Sequence, residues 1–196
     1  MIEKLIEKTL KGGGDSDSHL MTIFSIAIST KGKTFVELGV RNGDTTEPLL
    51  YAAKLCGAKL HSVDINQTNF SPSNDLKKNW VFHCTDSIEF LNNFEDDIDL
   101  IYIDDWHSYD HVKKQLEILD TKISPNTIIL LHDLMYGETC PFYHVDLTLK
   151  DGQWANGGPY RAVAELNNQF WEFSTIPINN GLTILRKKYS NKYKQK

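Results

Sequence analysis

Residues 35–46 read Phe35-Val36-Glu37-Leu38-Gly39-Val40-Arg41-Asn42-Gly43-Asp44-Thr45-Thr46: an apolar strand, a glycine turn, and the start of a capped helix. A turn of this kind lets the backbone approach a ligand where a side chain would collide. The spacing Glu37-x-Gly39-x-x-x-Gly43 departs from the three-glycine dinucleotide fingerprint, which sets a pyrophosphate on the helix N-terminus. An acid at the strand end repels phosphate and suits a zwitterionic amino-acid group or a sulfonium. Glu37, Gly39, Asn42, Gly43 and Thr45 are therefore candidate ligand-binding residues.

Outward from this turn, short runs rich in Val, Ile and Phe alternate with helical segments, the pattern of repeated βαβ units. Strands are expected at Thr34–Leu38, Lys59–Val63, Trp80–Cys84, Leu100–Ile103 and Thr127–His132, with helices at Thr45–Cys56, Asn74–Lys78, Ser87–Phe94 and Tyr109–Leu119. Two leader helices, Ile2–Lys11 and Ser18–Thr30, precede them, split by Gly12-Gly13-Gly14, with Asp15, Ser16 and Asp17 available as N-caps. After His132 the alternation fails. Residues 135–160 read as a lid or substrate loop. A helix at Tyr160–Gln169 and two strands, Phe173–Pro177 and Leu182–Arg186, follow, the strands flanking the hairpin signal Asn179-Asn180-Gly181. This divides the chain into leader helices packed on the core (1–31), one α/β domain (32–187) and a basic tail (188–196).

Acids stand at successive strand ends. Asp64 lies about 20 residues past the glycine turn, where a carboxylate accepts ribose hydroxyls. Asp86, beside Ser87, is placed to accept from an adenine amino group. Each acid has a simpler reading, Asp86 as an N-cap and Asp64 as the start of a loop, but together they favour a nucleoside site at the carboxyl edge of a sheet. Farther along, Asp104, Asp105 and His107 follow the fourth strand, and His132-Asp133 close the fifth. Asp104, His132 and Asp133 form a candidate site for Mg²⁺ or another divalent metal. His107 has an ordinary pKa suited to a general base at neutral pH; its simpler reading is a helix cap, and that of Asp133 a turn acid. Asp105 reads as a supporting residue. Trp106 reads as packing beside a nucleoside or into the core, and His83, His111 and His144 as ordinary histidines.

The segments FVELGVRNGDTT, HSVDI, FHCTDSIEFL and DLIYIDDWHSYDHVKKQLEIL followed by TIILLHDL resemble those of class I S-adenosylmethionine-dependent methyltransferases. The likeness is to the branch of small-molecule and sugar O-methyltransferases and cephalosporin-hydroxylase-like proteins. It spans about residues 34–133. It implies a Rossmann-like three-layer sandwich on a mostly parallel seven-stranded sheet with an antiparallel last strand. It also implies S-adenosylmethionine contacts from the strand-end residues, Asp104 included. In similar enzymes the acid after strand four and an acidic pair after strand five chelate a divalent metal; here the pair is His132-Asp133. Similar sugar methyltransferases carry a catalytic histidine in an IDxxH arrangement, which falls on His107 beside Asp104. The acceptor implied is a hydroxylated small molecule.

The chain has 196 residues, 40% of them hydrophobic and 24% charged, enough to bury a substantial core. Residues 186–196 hold Arg186, Lys187, Lys188, Lys192, Lys194 and Lys196 and no acid, so the rest is more acidic than the net charge of −5 suggests, a poor match to nucleic acid. No run approaches the roughly 20 apolar residues needed to cross a bilayer. Cys56, Cys84 and Cys140, odd in number and widely spaced, read as reduced thiols of a cytoplasmic protein. The loop aromatics Tyr136, Phe142, Tyr143, Trp154 and Tyr160 suit a substrate cover, packing onto the body, or a homo-oligomer interface. Two other functions share the fold logic: a nicotinamide-dependent oxidoreductase, and a non-catalytic nucleoside-binding module.

Overall fold

In the computed structural model, residues 2–134 and 150–189 are described. Helices α1 (Ile2–Lys11) and α2 (Leu20–Thr30) lead into β1 (Thr34–Leu38), α3 (Thr46–Cys56), β2 (Lys59–Asp64), α4 (Asn74–Lys77) and β3 (Trp80–Cys84). Then come α5 (Ser87–Asn93), β4 (Leu100–Ile103), α6 (Tyr109–Lys122), β5 (Ile128–His132), α7 (Gly158–Ala164), β6 (Trp171–Ile176) and β7 (Leu182–Lys187). One seven-stranded sheet runs in the order β3-β2-β1-β4-β5-β7-β6. The first five strands are parallel; β7 pairs antiparallel with both β5 and β6. This is the expected three-layer α/β architecture. The chain reverses direction in the sheet order at β1/β4, where open α/β sheets hold ligands.

Alternate residues of the central strands feed opposite layers, as the period of two requires. Phe35, Leu100, Tyr102 and Leu130 pack with Leu5, Ile23, Phe24, Leu49 and Leu50 on the side of α1, α2 and α3. Val36, Leu38, Ile101, Ile103 and Leu131 pack with Leu91, Val112, Leu116, Ala162 and Val163 on the other. Helix α6 shows why such segments are helical: Ser108 accepts the His111 N–H as N-cap, and Tyr109, Val112, Leu116 and Leu119 recur at three- and four-residue spacing on its buried face. Among the described residues, no helix is long and apolar enough to cross a membrane.

Several local expectations change. Thr45 occupies the N-cap position of α3 but makes no side-chain cap, because its hydroxyl is committed to Glu37. Asp15, Ser16 and Asp17 do not cap α2; a 3₁₀ turn at Asp17–His19 intervenes, and Asp17 instead accepts the Gly14 N–H at 2.8 Å. The helix expected at Tyr160–Gln169 starts earlier and ends at Ala164. Gly157, at φ +88°, and Pro159 in the first turn set its start, while the Asn167 side chain accepts the Gln169 N–H and turns the chain toward β6. Of the expected lid loop, residues 135–149 lie outside the described residues, as do His144, Cys140 and the tail beyond Tyr189.

Candidate active site

The strand ends of β1, β2, β3, β4 and β5 surround a cavity of about 710 Å³. Gly39, Asp64, Asp86, Ser87, Asp104 and His107 line it, together with Asp133. Glu37, Asn42, Gly43, Thr45 and His132 do not line it, and the geometry gives a reason for most of them.

Glu37 is fully buried on β1. Its carboxylate accepts from the hydroxyls of Thr45 at 2.9 Å, Thr46 at 2.8 and 3.0 Å, and Ser62 at 2.6 Å. The Ser62 oxygen in turn accepts from the Trp80 indole N–H at 2.9 Å. Burial pushes the Glu37 carboxyl up to about 7 against the pull of these hydroxyls. Its acceptor sites are spent tying β1, β2 and α3 together, so the expected ligand contact is replaced by a structural role, and Thr45 goes with it. The glycines act similarly. A Cβ on Gly39, at φ +92°, would sit 2.1 Å from the Asp104 carbonyl oxygen, and one on Gly43, at φ +82°, 2.2 Å from the Phe70 ring. Both are glycine because other parts of the protein approach them closely.

Asp64 holds the turn as well as facing the cavity. Its Oδ2 accepts the N–H groups of Val40 at 3.0 Å and Arg41 at 3.1 Å, and its Oδ1 accepts that of Asn66 at 2.9 Å. A carboxylate offers about four acceptor sites, which leaves about one on Oδ1 for a ligand hydroxyl. Asp86 caps α5 through Oδ1 alone, accepting from Ile88 and Glu89. The cap and a ligand contact through Oδ2 are compatible. Next to it, Ser87, Gln115 and His111 converge on Asp105 Oδ2 at 2.6, 2.7 and 3.0 Å. Burial raises the Asp105 carboxyl, but the His111 hydrogen bond and charge, with Ser87 and Gln115, hold it below the usual carboxylate value. His111, read from sequence as ordinary, is thus a cavity-lining partner of Asp105; its position one turn into α6, four residues past His107, was the available signal.

At the far end, His107 Nε2 lies 2.8 Å from Asp133 Oδ2 and 3.2 Å from Asp104 Oδ1. Its Nδ1 lies 2.7 Å from the Gln153 side-chain amide, and Trp154 stacks on the ring with centroids 4.3 Å apart. Burial lowers the affinity of the ring for a proton, yet the hydrogen bonds and charges of Asp104 and Asp133 win and raise His107 to about 9. His107 alone is therefore not a free base at neutral pH, which corrects the expectation drawn from its ordinary pKa. It does not cap α6 either, since Ser108 does. Asp104 also accepts from the Tyr102 hydroxyl at 3.0 Å. Despite burial, the neighbouring imidazoles hold Asp104 and Asp133 below the usual carboxylate range.

Two histidines stand beside the carboxylates of the expected cation set. The donor atoms of Asp104, His107 and Asp133 all lie within 4.8 Å of one another. His132, fully buried and edge-on to His19 at 5.5 Å, has its Nδ1 3.5 Å from Asp104 and 3.3 Å from Asp133. Its charge is favoured there, but its ring nitrogens make no hydrogen bond, and it does not line the cavity. Asp133 Oδ1, likewise buried without a hydrogen-bond partner, together with two carboxylates and an imidazole, fits a divalent cation in donor chemistry. Trp106, 49% exposed, lines the mouth instead of entering the core.

The methyltransferase domain family matches residues 36–134, from the second half of β1 past the end of β5. No curated protein matches the chain by sequence. Among solved structures, an SAH-bound methyltransferase from Podospora anserina superposes with a TM-score of 0.63 at 18% identity, covering 94% of this chain and 87% of that one. An O-methyltransferase from Bacillus cereus in complex with SAH gives 0.65 at 11% identity, covering 95% and 90%. The O-methyltransferase TomG from Streptomyces achromogenes, in complex with SAM and involved in tomaymycin synthesis, gives 0.64 at 11%, covering 88% and 80%. At these low identities the superpositions establish a shared fold. With half of its length matched by the family, the chain belongs to the methyltransferase domain family and is a class I S-adenosylmethionine-dependent methyltransferase.

Proposed function

We propose that this enzyme methylates a hydroxyl group of a small molecule, with Asp64 and Asp86 receiving the nucleoside of the donor and Asp104, His107 and Asp133 receiving the acceptor hydroxyl. The observation that carries this reading is one continuous cavity that joins the two strand-end acids to the carboxylate–imidazole cluster. O-methyltransferases with the same fold, crystallised with SAM or SAH, support it. When bound, S-adenosylmethionine supplies a methyl carbon activated by a sulfonium, and a divalent cation held by Asp104, His107 and Asp133 supplies acidification of a bound hydroxyl.

The remaining work belongs to the chain. Asp64 Oδ1 and Asp86 Oδ2 accept from ribose and adenine donors. Asp104 and Asp133, kept ionised, accept hydrogen bonds from a hydroxyl placed between them. Gln153 and Trp154 fix the His107 ring from its other nitrogen and one face, so the cluster is oriented before a substrate arrives. Methyl transfer needs in-line alignment above all, and such positioning contributes much of the rate. Among the described residues, Asp15, Asp64, Asp86, Asp104, Asp105 and Asp133 line the cavity against Arg41 as the one Lys or Arg, a field that selects against strongly anionic acceptors. A phosphate-bearing nicotinamide dinucleotide is disfavoured on the same ground.

Calorimetric titration of metal-stripped protein with S-adenosylmethionine tests the donor site, with Asp64→Asn as control. Saturable binding, weakened about tenfold or more in the variant, is expected from the loss of a charged acceptor. Methyl-labelled donor and a panel of hydroxylated metabolites, with and without Mn²⁺, then test transfer to oxygen. No donor binding under any condition would end this reading.

A further inference from the structure

The two carboxylate oxygens of Asp104 have different partners. Oδ1 lies 3.2 Å from His107 Nε2 and 3.5 Å from His132 Nδ1, whereas Oδ2 accepts from the Tyr102 hydroxyl at 3.0 Å. We propose that Tyr102 is a positioning residue that makes Asp104 offer a single oxygen, Oδ1, to a cation in the cluster, and that it thereby favours a small octahedral ion such as Mg²⁺ or Mn²⁺ over Ca²⁺. This rests on the proposed cation set of Asp104, His107 and Asp133 and names a residue outside that set which decides the ion it prefers.

Tyr102 has little freedom to leave this contact. It is fully buried, and its ring belongs to the core layer that holds Phe35, Leu100 and Leu130 with Leu5, Ile23 and Phe24 of the leader helices. Close packing of such a layer keeps a ring in one rotamer, and the hydroxyl moves only with the ring. Ser16, itself buried, hydrogen-bonds the same hydroxyl from the leader segment. A phenol keeps its one proton through the neutral range, and here that proton goes to Asp104 Oδ2. Among the described residues Asp104 is part of the cavity wall and Tyr102 is not, so the bond reaches the carboxylate from the packed layer.

Ions differ in what they ask of a carboxylate. Mg²⁺ demands a near-ideal octahedron with oxygens at about 2.0–2.1 Å, and the two oxygens of one carboxylate are too close together to take adjacent corners of it. Mn²⁺ favours the same geometry. Ca²⁺ takes about six to eight oxygens at about 2.3–2.6 Å and gains from a carboxylate that binds through both. With Oδ2 bonded to Tyr102, Asp104 is poorly suited to bind through both, and its plane is held against rotation, as supporting residues hold the ligands of a metal site. The same hydrogen bond also satisfies a buried hydroxyl, a purely structural service, and ion preference separates the two roles.

Tyr102→Phe removes the hydroxyl and keeps the ring, while Phe35→Leu disturbs the same core layer without removing a partner of Asp104. Metal-stripped wild type and both variants are titrated with Mn²⁺, followed by the free-ion electron paramagnetic resonance signal, with Ca²⁺ as competitor and S-adenosylhomocysteine binding as the report of folding. Tyr102→Phe is expected to bind Mn²⁺ about tenfold or more weakly and Ca²⁺ within about threefold of wild type, so that the preference for Mn²⁺ falls. Phe35→Leu is expected to keep the wild-type ratio. Unchanged Mn²⁺ affinity in Tyr102→Phe, equal loss for both ions, or the same shift in Phe35→Leu overturns the role of Tyr102. If Tyr102→Phe does not fold, Ser16→Ala takes its place: it frees the hydroxyl from one of its partners and is expected to shift the ratio the same way, and an unshifted ratio overturns the role. Wild type that binds S-adenosylhomocysteine but not Mn²⁺ overturns the cation set, and this role with it, and leaves the donor site standing.

Discussion

Replacing Glu37 with glutamine turns the burial of one carboxyl into a measurable pH dependence. Glu37 is fully buried, and burial raises its carboxyl from 4.5 to about 7. A group whose folded-state pKa is raised binds its proton more tightly in the folded chain. Its contribution to stability is therefore complete below about pH 4.5 and is lost as pH climbs to about 7. At about 1.36 kcal/mol per pH unit, that loss is about 3 kcal/mol. Glutamine does not titrate. The difference in unfolding free energy between the variant and wild type should shift by about 3 kcal/mol toward the variant between about pH 4.5 and 7, then stay level. Urea unfolding at several pH values measures it, provided the slope with denaturant is the same for both proteins. Subtraction removes the titration of His107 and of other groups common to both. A difference that does not change with pH would refute the claim that Glu37 stays a buried, reluctantly ionised carboxyl; a shift of opposite sign would mean that the Thr45, Thr46 and Ser62 hydroxyls favour the anion more than burial opposes it.

Gly39→Ala should destabilise by about 3 kcal/mol or more, because the added Cβ meets the Asp104 carbonyl at 2.1 Å in a left-handed backbone. Gly57→Ala, also left-handed but with nothing nearer than 3.8 Å, should cost about 1 kcal/mol; equal losses in the two melts would refute the close-approach argument. In metal-free protein the His107 ring should remain protonated at pH 7.5, read from imidazole nitrogen shifts by NMR. Its stabilisation is complete below about pH 6.5 and fades as pH rises through about 9, and a neutral ring at pH 7.5 would contradict the paired-carboxylate geometry. Asp133→Asn, at φ +64° where asparagine is tolerated, should weaken Mn²⁺ binding by about tenfold or more, followed by the free-ion electron paramagnetic resonance signal. Unchanged Mn²⁺ affinity would remove Asp133 from the cation set.

Much of the fold was legible because it is local. Apolar runs of strand length, glycine after β1 and polar caps before the helices follow from steric and hydrogen-bonding preferences within a few residues, and they located every strand to within two residues at its ends. Strand-end acids could be found the same way, since the carboxyl edge of a parallel sheet is reached at the last residue of each strand. The hairpin signal at Asn179-Asn180-Gly181 marked the reversal that makes β7 antiparallel, with both asparagines at positive φ. The end of α7 was less legible: an Asx turn at Asn167 competes with helix continuation, and periodicity does not register that competition.

The sequence by itself determined which groups reach the rim of the sheet: Asp64, Asp86, Asp104, His107 and Asp133 each stand at a strand end or within four residues after it. Only the tertiary structure decided what those groups face. Glu37 is turned inward because three hydroxyls from two other elements satisfy it there. His107, not His132, joins the carboxylates at the cavity, because the His132 ring is packed against His19 from a leader 113 residues away. Asp15 lines the cavity beside a leader segment that His19 and Gly14 tie to the distant β6–β7 hairpin. Burial, hydrogen-bond partnership and charge proximity are properties of groups far apart in the chain, so no local pattern can fix them.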